Sequence, residues 1–202
     1  MESLGKAAVA EFVATFALVF VGAGAVILYS SGSIDLLSVA LAHGLVLAIM
    51  VSVVGHVSGG HVNPAVTIAL WTAGKVTTQR AAVYTVAQLA GAVLGALLLR
   101  YVVGGEAFEA AGGGAPALGP GISVGKGIVI EAILTFFLVF AVFGTAVDDR
   151  GPWNKTAGFT IGLVIAFDII AFGPYTGAAM NPARWFGPAL VAGVWNDSLV
   201  WI

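Results

Sequence analysis

Apolar runs long enough to cross a lipid bilayer recur five times in this chain, over about 7–29, 36–55, 81–103, 124–147 and 156–172. A spanning helix needs roughly 20 mostly apolar residues. Hydrocarbon offers a peptide group no partner, so each run must satisfy its own backbone as a helix. That one pattern points to an all-α membrane protein. The charge content agrees: 9% of the 202 residues are charged, where a soluble domain carries about 25%. So few charges cannot cover a water-facing surface. The net charge of −2, with no basic run, argues against nucleic acid as a partner. The absence of cysteine excludes disulfides, thiolate metal sites and cysteine nucleophiles. The first run has no evident cleavage site ahead of it and reads as a span rather than a signal peptide.

Two further apolar pieces, 63–72 and 181–194, are too short to span, and each opens with Asn-Pro-Ala. Asparagine caps a helix N-terminus well and proline fits its first turn. Both pieces therefore read as half-helices that begin at membrane depth. Irregular backbone is tolerated there only where it is buried in protein or lines a wet cavity. Two such segments in corresponding halves point to a transport path.

The halves are related. Glu11-Phe12-Val13-Ala14-Thr15-Phe16-Ala17-Leu18-Val19-Phe20 returns as Glu131-Ala132-Ile133-Leu134-Thr135-Phe136-Phe137-Leu138-Val139-Phe140, and the two Asn-Pro-Ala blocks are spaced by nearly the same offset. The expectation is one membrane domain over 1–202, with a first repeat over 1–103 and a second over 124–202. Three spans per half invert the second repeat, so the half-helices enter from opposite faces and meet tip to tip. Ser198 to Ile202 reads as the first turn of a sixth span, which leaves the second repeat incomplete. Lys6, Lys75, Arg80, Arg150 and Lys155 then share one side, which the positive-inside tendency makes cytoplasmic, together with the N-terminus. The Gly-, Ala- and Pro-rich stretch 104–123 reads as an extracellular connector. Gly91-x-x-x-Gly95 and Gly158-x-x-x-Gly162 are patterns that permit close helix crossing.

Ser58-Gly59-Gly60-His61-Val62-Asn63-Pro64-Ala65-Val66-Thr67 and Thr176-Gly177-Ala178-Ala179-Met180-Asn181-Pro182-Ala183-Arg184 resemble the two signature loops of the aquaporins, the major intrinsic protein family. The resemblance runs along essentially the whole chain. It implies a right-handed bundle of transmembrane helices with two re-entrant half-helices in inverted repeats, the sixth span truncated here. It further implies a passive pore for water, a homotetramer in the bilayer, and no cofactor or metal. The pore centre falls on Asn63, Pro64, Ala65, Asn181, Pro182 and Ala183. A helix N-terminus carries about half a positive charge and free N–H donors, and two facing N-termini are the established proton and cation barrier of aquaporin pores. By resemblance, carbonyls of Gly59, Gly60, His61 and Val62 on one side, and Gly177, Ala178 and Ala179 on the other, accept hydrogen bonds from the permeant.

The selectivity constriction falls on His43, Ile169, Ala178 and Arg184. Water-selective members usually carry phenylalanine and histidine at the first two positions, and this chain departs at both. Its set, with the block Gly173-Pro174-Tyr175-Thr176-Gly177-Ala178-Ala179-Met180, is similar to plant tonoplast aquaporins, which implies passage of ammonia or urea besides water. Glycerol facilitation is the rival. Such channels carry aspartate after the second-motif arginine and a basic residue four places on, where this chain has Trp185 and Ala189. Ala189 fits water channels, and Trp185 fits neither pattern.

Three sets of polar residues stay outside this scheme. Glu11 and Glu131 lie in apolar spans, where they read either as a proton relay or as buried acceptors for re-entrant amides, and the family favours acceptors. Asp168, in the fifth span, needs a donor, either in the second re-entrant loop or at the constriction beside His43. His56 and His61 lack the companions of a metal site. A secondary transporter also uses inverted repeats and broken helices, but would need coupling-ion ligands beyond the paired glutamates. No nucleophile–base constellation suggests an enzyme. Short termini and the lack of cysteine lean towards a prokaryotic plasma membrane.

Overall fold

The computed structural model describes residues 2–150 and 154–202. Its elements are α1 (Leu4–Ser30), α2 (Leu36–Ser58), α3 (Pro64–Thr72), α4 (Thr78–Val103), α5 (Gly105–Ala110), α6 (Val124–Val142), α7 (Ala157–Thr176) and α8 (Pro182–Ala192). A π-helical turn, Phe143–Val147, extends α6, and 3-10 turns lie at Gly112–Gly114, Asn154–Thr156 and Ser198–Val200. There is no strand among the described residues. Among the described residues, five helices (α1, α2, α4, α6 with its extension, and α7) are long and apolar enough to cross a membrane.

Side-chain caps start four of these five. Ser3, Asp35, Thr77 and Ser123 each accept a backbone amide from the first turn of α1, α2, α4 and α6, satisfying donors that a helix N-terminus leaves free. Asp35 lies outside the spans. The hydroxyl and amide of Ser38 hold its carboxyl below the usual carboxylate range.

Two helix crossings set the frame. α1 packs on α4, where a Cβ at Gly91 would run into the Phe12 carbonyl and one at Gly95 would lie 2.9 Å from the Phe16 carbonyl. α2 packs on α7, where a Cβ at Gly44 would lie 2.6 Å from the Gly162 carbonyl and one at Gly162 would strike the Gly44 carbonyl. Gly158 meets Ala48 and Ser52 at the same crossing. Both glycine patterns in the sequence thus mark places where two backbones touch. α8 lies on α4, with Gly187 against Ala92.

Two differences from the sequence reading have local causes. The fifth long helix runs through Pro174 to Thr176, beyond 172. The connector covers this end of it: Gly119 donates to the Tyr175 carbonyl and Pro116 lies against Gly177. The connector holds a short helix, α5, because Phe108 is fully buried against α1, α4 and α8. The π-turn ends α6 one residue before Asp148, whose carboxyl the Arg150 guanidinium and amide, and more weakly Lys75, hold down at about 2. Arg80 reaches the Glu2 carbonyl, so Lys75, Arg80 and Arg150 lie with the N-terminal segment or with one another at one end of the bundle. Arg100 pairs with Glu109 in the connector.

Candidate functional site: a pore between two half-helix tips

The backbone leading into each half-helix is held in an unusual shape. Gly59 and Gly177 end α2 and α7 at φ 95° and 80°. Val62, Ala178 and Met180 then adopt φ of 56°, 45° and 50°, a left-handed region that costs a non-glycine residue about 1 kcal/mol or more. Two carboxylates compensate. Glu11 Oε1 accepts from the His61 amide at 2.9 Å and Oε2 from the Val62 amide at 2.6 Å. Glu131 Oε1 accepts from the Ala179 amide at 3.0 Å and Oε2 from the Met180 amide at 2.8 Å. Each carboxylate thus draws two consecutive N–H groups of the incoming loop to one side of the chain. The hydroxyls of Ser58 and Thr176 take the next amides, of Gly60 and Ala178.

The tips are locked to each other. Asn63 caps α3 by accepting from the Ala65 amide, and Asn181 caps α8 by accepting from those of Ala183 and Arg184. Pro64 and Pro182 occupy the first helical positions. The Asn63 side-chain nitrogen donates to the Met180 carbonyl at 2.7 Å, and that of Asn181 donates to the Val62 carbonyl at 3.0 Å. Each amide nitrogen carries two hydrogens, so the lock leaves one on each for other use. Both asparagines line a narrow cavity of about 30 Å³.

That cavity has a largely apolar lining with a few polar groups. Leu47, Val51, Leu138, Val142, Ile161 and Ile165 form much of the wall from α2, α6 and α7. Gly59, Gly60, His61, Ala178 and Ala179 also line it, with His43 and Arg184, and Ile169 continues the α7 face of Ile161 and Ile165. Val62 and Gly177, expected on the lining, stand off it. The Val62 carbonyl is taken by Asn181, and Gly177 faces the connector at Pro116. Ala65, Pro64, Pro182 and Ala183 shape the tips from behind; Ala183 is fully buried against α1 and α4.

Of the residues expected at the constriction, two meet directly: Arg184 Nε donates to His43 Nε2 at 3.0 Å. His43 Nδ1 lies 2.9 Å from the Val39 carbonyl, which can only accept. The proton therefore sits on Nδ1, and the neutral ring accepts the arginine. Arg184 Nη1 has no partner among the described residues. This direct pairing was not legible in the sequence, where 141 positions separate the two.

Other supporting residues were also missed. Gln88 donates to Glu11 at 2.8 Å and to Thr67, and Thr67 faces His61 Nδ1 at 3.0 Å. Tyr84 donates to the Ser58 carbonyl at 2.7 Å. A glutamine inside the fully apolar stretch of α4 was the one available signal. Asp168 does not do what the sequence suggested. It is buried, yet its Oδ2 has no partner among the described residues, and the re-entrant amides are already held by Glu131. It does not line the cavity. Trp185 gains an account: it is buried against Trp201, with ring centroids 5.8 Å apart and planes at 15°, and Trp195 meets it edge-on. It packs among Ala179, Ala189 and Val200 and does not line the cavity.

The family profile described as Major intrinsic protein matches residues 1–202. The chain is 46% identical to Aquaporin TIP4-4 of Zea mays, over 97% of this chain and 79% of that protein. It is 43% identical to Probable aquaporin TIP2-1 of Oryza sativa subsp. japonica, over 93% and 77%. The X-ray structure of the aquaglyceroporin from Plasmodium falciparum superposes with a TM-score of 0.84 at 27% identity, over 98% of this chain and 85% of that one. These relatives by sequence are plant proteins and give no support to a prokaryotic plasma membrane. With five apolar spans and a match along its length, the chain is an integral membrane protein and belongs to the major intrinsic protein family, the aquaporins, which are channels and not enzymes.

Proposed function

We propose that the chain conducts water passively through the cavity between the two tips, passes ammonia or urea as well, and excludes protons and ions. The observation that carries this reading is the cavity's make-up: a largely apolar lining with a few polar groups that include Asn63, Asn181 and Arg184. An apolar lining binds nothing tightly, so a small neutral solute moves along the polar groups by exchanging one donor for the next. The asparagine N–H groups and the helix N-termini behind them present only positive potential at the centre. A proton or cation meets repulsion there, and again at the Arg184 guanidinium. Pro64, Ala65, Pro182 and Ala183 position the tips, and carbonyls from Gly59 to His61 and at Ala178 and Ala179 accept from the permeant.

His43, Ile169, Ala178 and Arg184 set the solute. With an imidazole in place of a phenyl ring and an isoleucine in place of an imidazole, the opening admits a polar neutral molecule larger than water. The names of the plant relatives support water; the name of the Plasmodium falciparum neighbour keeps glycerol as the second reading. Trp185 and Ala189 depart from the glycerol pattern and favour the first. A homotetramer with one pore per subunit completes the proposal, with the N-terminus on the cytoplasmic side with Lys75, Arg80 and Arg150.

Stopped-flow light scattering on proteoliposomes, with water, ammonia, urea and glycerol gradients run side by side, tests it. Water flux well above protein-free vesicles, with ammonia or urea also accelerated and glycerol not, is expected. Glycerol flux matching water would install the second reading. Saturable uptake driven by an ion gradient would overturn the channel reading itself.

A further inference from the structure

The imidazole of His43 lies against a gap in α1. A Cβ built on Gly22 would stand 2.5 Å from His43 Nε2, 2.6 Å from Cδ2 and 3.1 Å from Cε1. Nε2 is the atom that accepts the Arg184 Nε hydrogen bond. Gly22 is itself buried and does not line the cavity. The absence of one methyl on α1 therefore lets the histidine edge lie back against the helix and meet the arginine. We propose that Gly22 is a positioning residue for the selectivity constriction: it sets where the His43 ring sits and so where it holds Arg184. The inference rests on the reading of His43 and Arg184 as the constriction.

The geometry fixes what an added methyl does. Ordinary carbon contacts lie at roughly 3.5–4.0 Å, so a Gly22→Ala side chain and the ring cannot both stay. The three nearest atoms all belong to one side chain and none to backbone, so the ring gives way and the helices keep their places. The ring is tied at Nδ1 to the Val39 carbonyl. It pivots there and carries Nε2 away from α1, and the bond to Arg184 stretches or breaks. The guanidinium then loses its fixed orientation in the pore.

The test measures water conductance per inserted channel, and the urea-to-water ratio, for the chain in proteoliposomes. Wild type is compared with Gly22→Ala, Gly24→Ala, His43→Ala and the Gly22→Ala/His43→Ala double variant. Gly24 is the control, because its Cβ would meet only Leu99 Cδ1, at an ordinary 3.4 Å. Gly22→Ala is expected to change conductance about tenfold, the scale of one hydrogen bond to a charged group. Gly24→Ala should match wild type, and the double variant should match His43→Ala alone. Wild-type behaviour of Gly22→Ala overturns the proposal. So does an equal loss from Gly22→Ala in the His43→Ala background, since the methyl would then act on packing and not on the ring. If Gly22→Ala fails to fold while the double variant folds, the collision is with the ring and the proposal stands; failure of both overturns it. His43→Ala with unchanged conductance and ratio overturns the constriction reading and this inference with it, whereas an altered His43→Ala beside an unaltered Gly22→Ala removes this inference alone.

Discussion

Glu11 accepts four hydrogen bonds, from the Ser58 hydroxyl, the His61 and Val62 amides and the Gln88 side chain. A carboxylate has the lone pairs for this; a glutamine replaces one oxygen by a donor that would face two other donors. Each buried donor left without an acceptor costs about 1–3 kcal/mol. Glu11→Gln is therefore expected to lower the unfolding free energy in detergent by about 3 kcal/mol, read from its thermal or denaturant midpoint; an unchanged midpoint would falsify the clamp. Asp168 is the opposite case. It is buried with an oxygen that no described residue satisfies, and an amide is cheaper to bury than a carboxyl that can ionise. Asp168→Asn should raise stability by about 1 kcal/mol or more and leave water conductance at the wild-type level. A collapse of conductance in that variant would give Asp168 a part in the pore that its position does not suggest.

Among the elements, the long helices approach one another through glycine. At Gly91 a side chain would meet the α1 backbone at Phe12, which cannot move without the whole helix. Gly91→Leu is expected to destabilise by about 3 kcal/mol, the upper range for overpacking. Gly125, in the first turn of α6, has nothing near a would-be Cβ. Gly125→Ala should therefore gain up to about 1 kcal/mol from the lost freedom of the unfolded chain. Comparing the two midpoints separates packing glycines from incidental ones. The Asp35 cap of α2 adds a pH dependence of known sign. Its carboxyl titrates lower in the folded chain than the ordinary value of about 3.9, so its contribution is fully present above that value and fades as the pH falls through the lower folded one. Wild type and Asp35→Ala should differ in thermal midpoint at neutral pH and converge in acid. A constant gap down to the most acidic pH would show that the carboxylate is not what caps the helix.

At the scale of the molecule, the tips of α3 and α8 tie the halves together. The two bonds link residues 117 and 119 positions apart. Each asparagine caps its own half-helix and donates to the backbone in front of the other. Asn63→Ala and Asn181→Ala should therefore be coupled in a double-mutant cycle by about 0.5–3 kcal/mol, the range for groups in one hydrogen-bond network. Strict additivity of the two losses would mean that each tip stands alone. The ties also explain why Val62 and Met180 keep left-handed backbones: their amides are held by a glutamate and their carbonyls by the opposite asparagine.

Local physics was enough to read much of this from the chain. Apolar run length marks α1, α2, α4, α6 and α7, because a helix in hydrocarbon must satisfy its own backbone. Asn-Pro starts α3 and α8, because capping and the first turn involve only the next few residues. The paired Glu11 and Glu131 blocks mark the two carboxylates that hold the amides ahead of α3 and α8. Beyond that reach the sequence carries no sign. That Arg184 rests on His43, that Gly22 leaves room for the ring, that the Val62 carbonyl accepts from Asn181, and that Asp168 Oδ2 meets no donor among the described residues all follow from how distant helices cross. Those crossings are fixed by backbone contact at Gly44, Gly91 and Gly162. A shift at any of them moves side chains that lie far apart along the chain, so the solute-facing geometry belongs to the packing and not to any local segment.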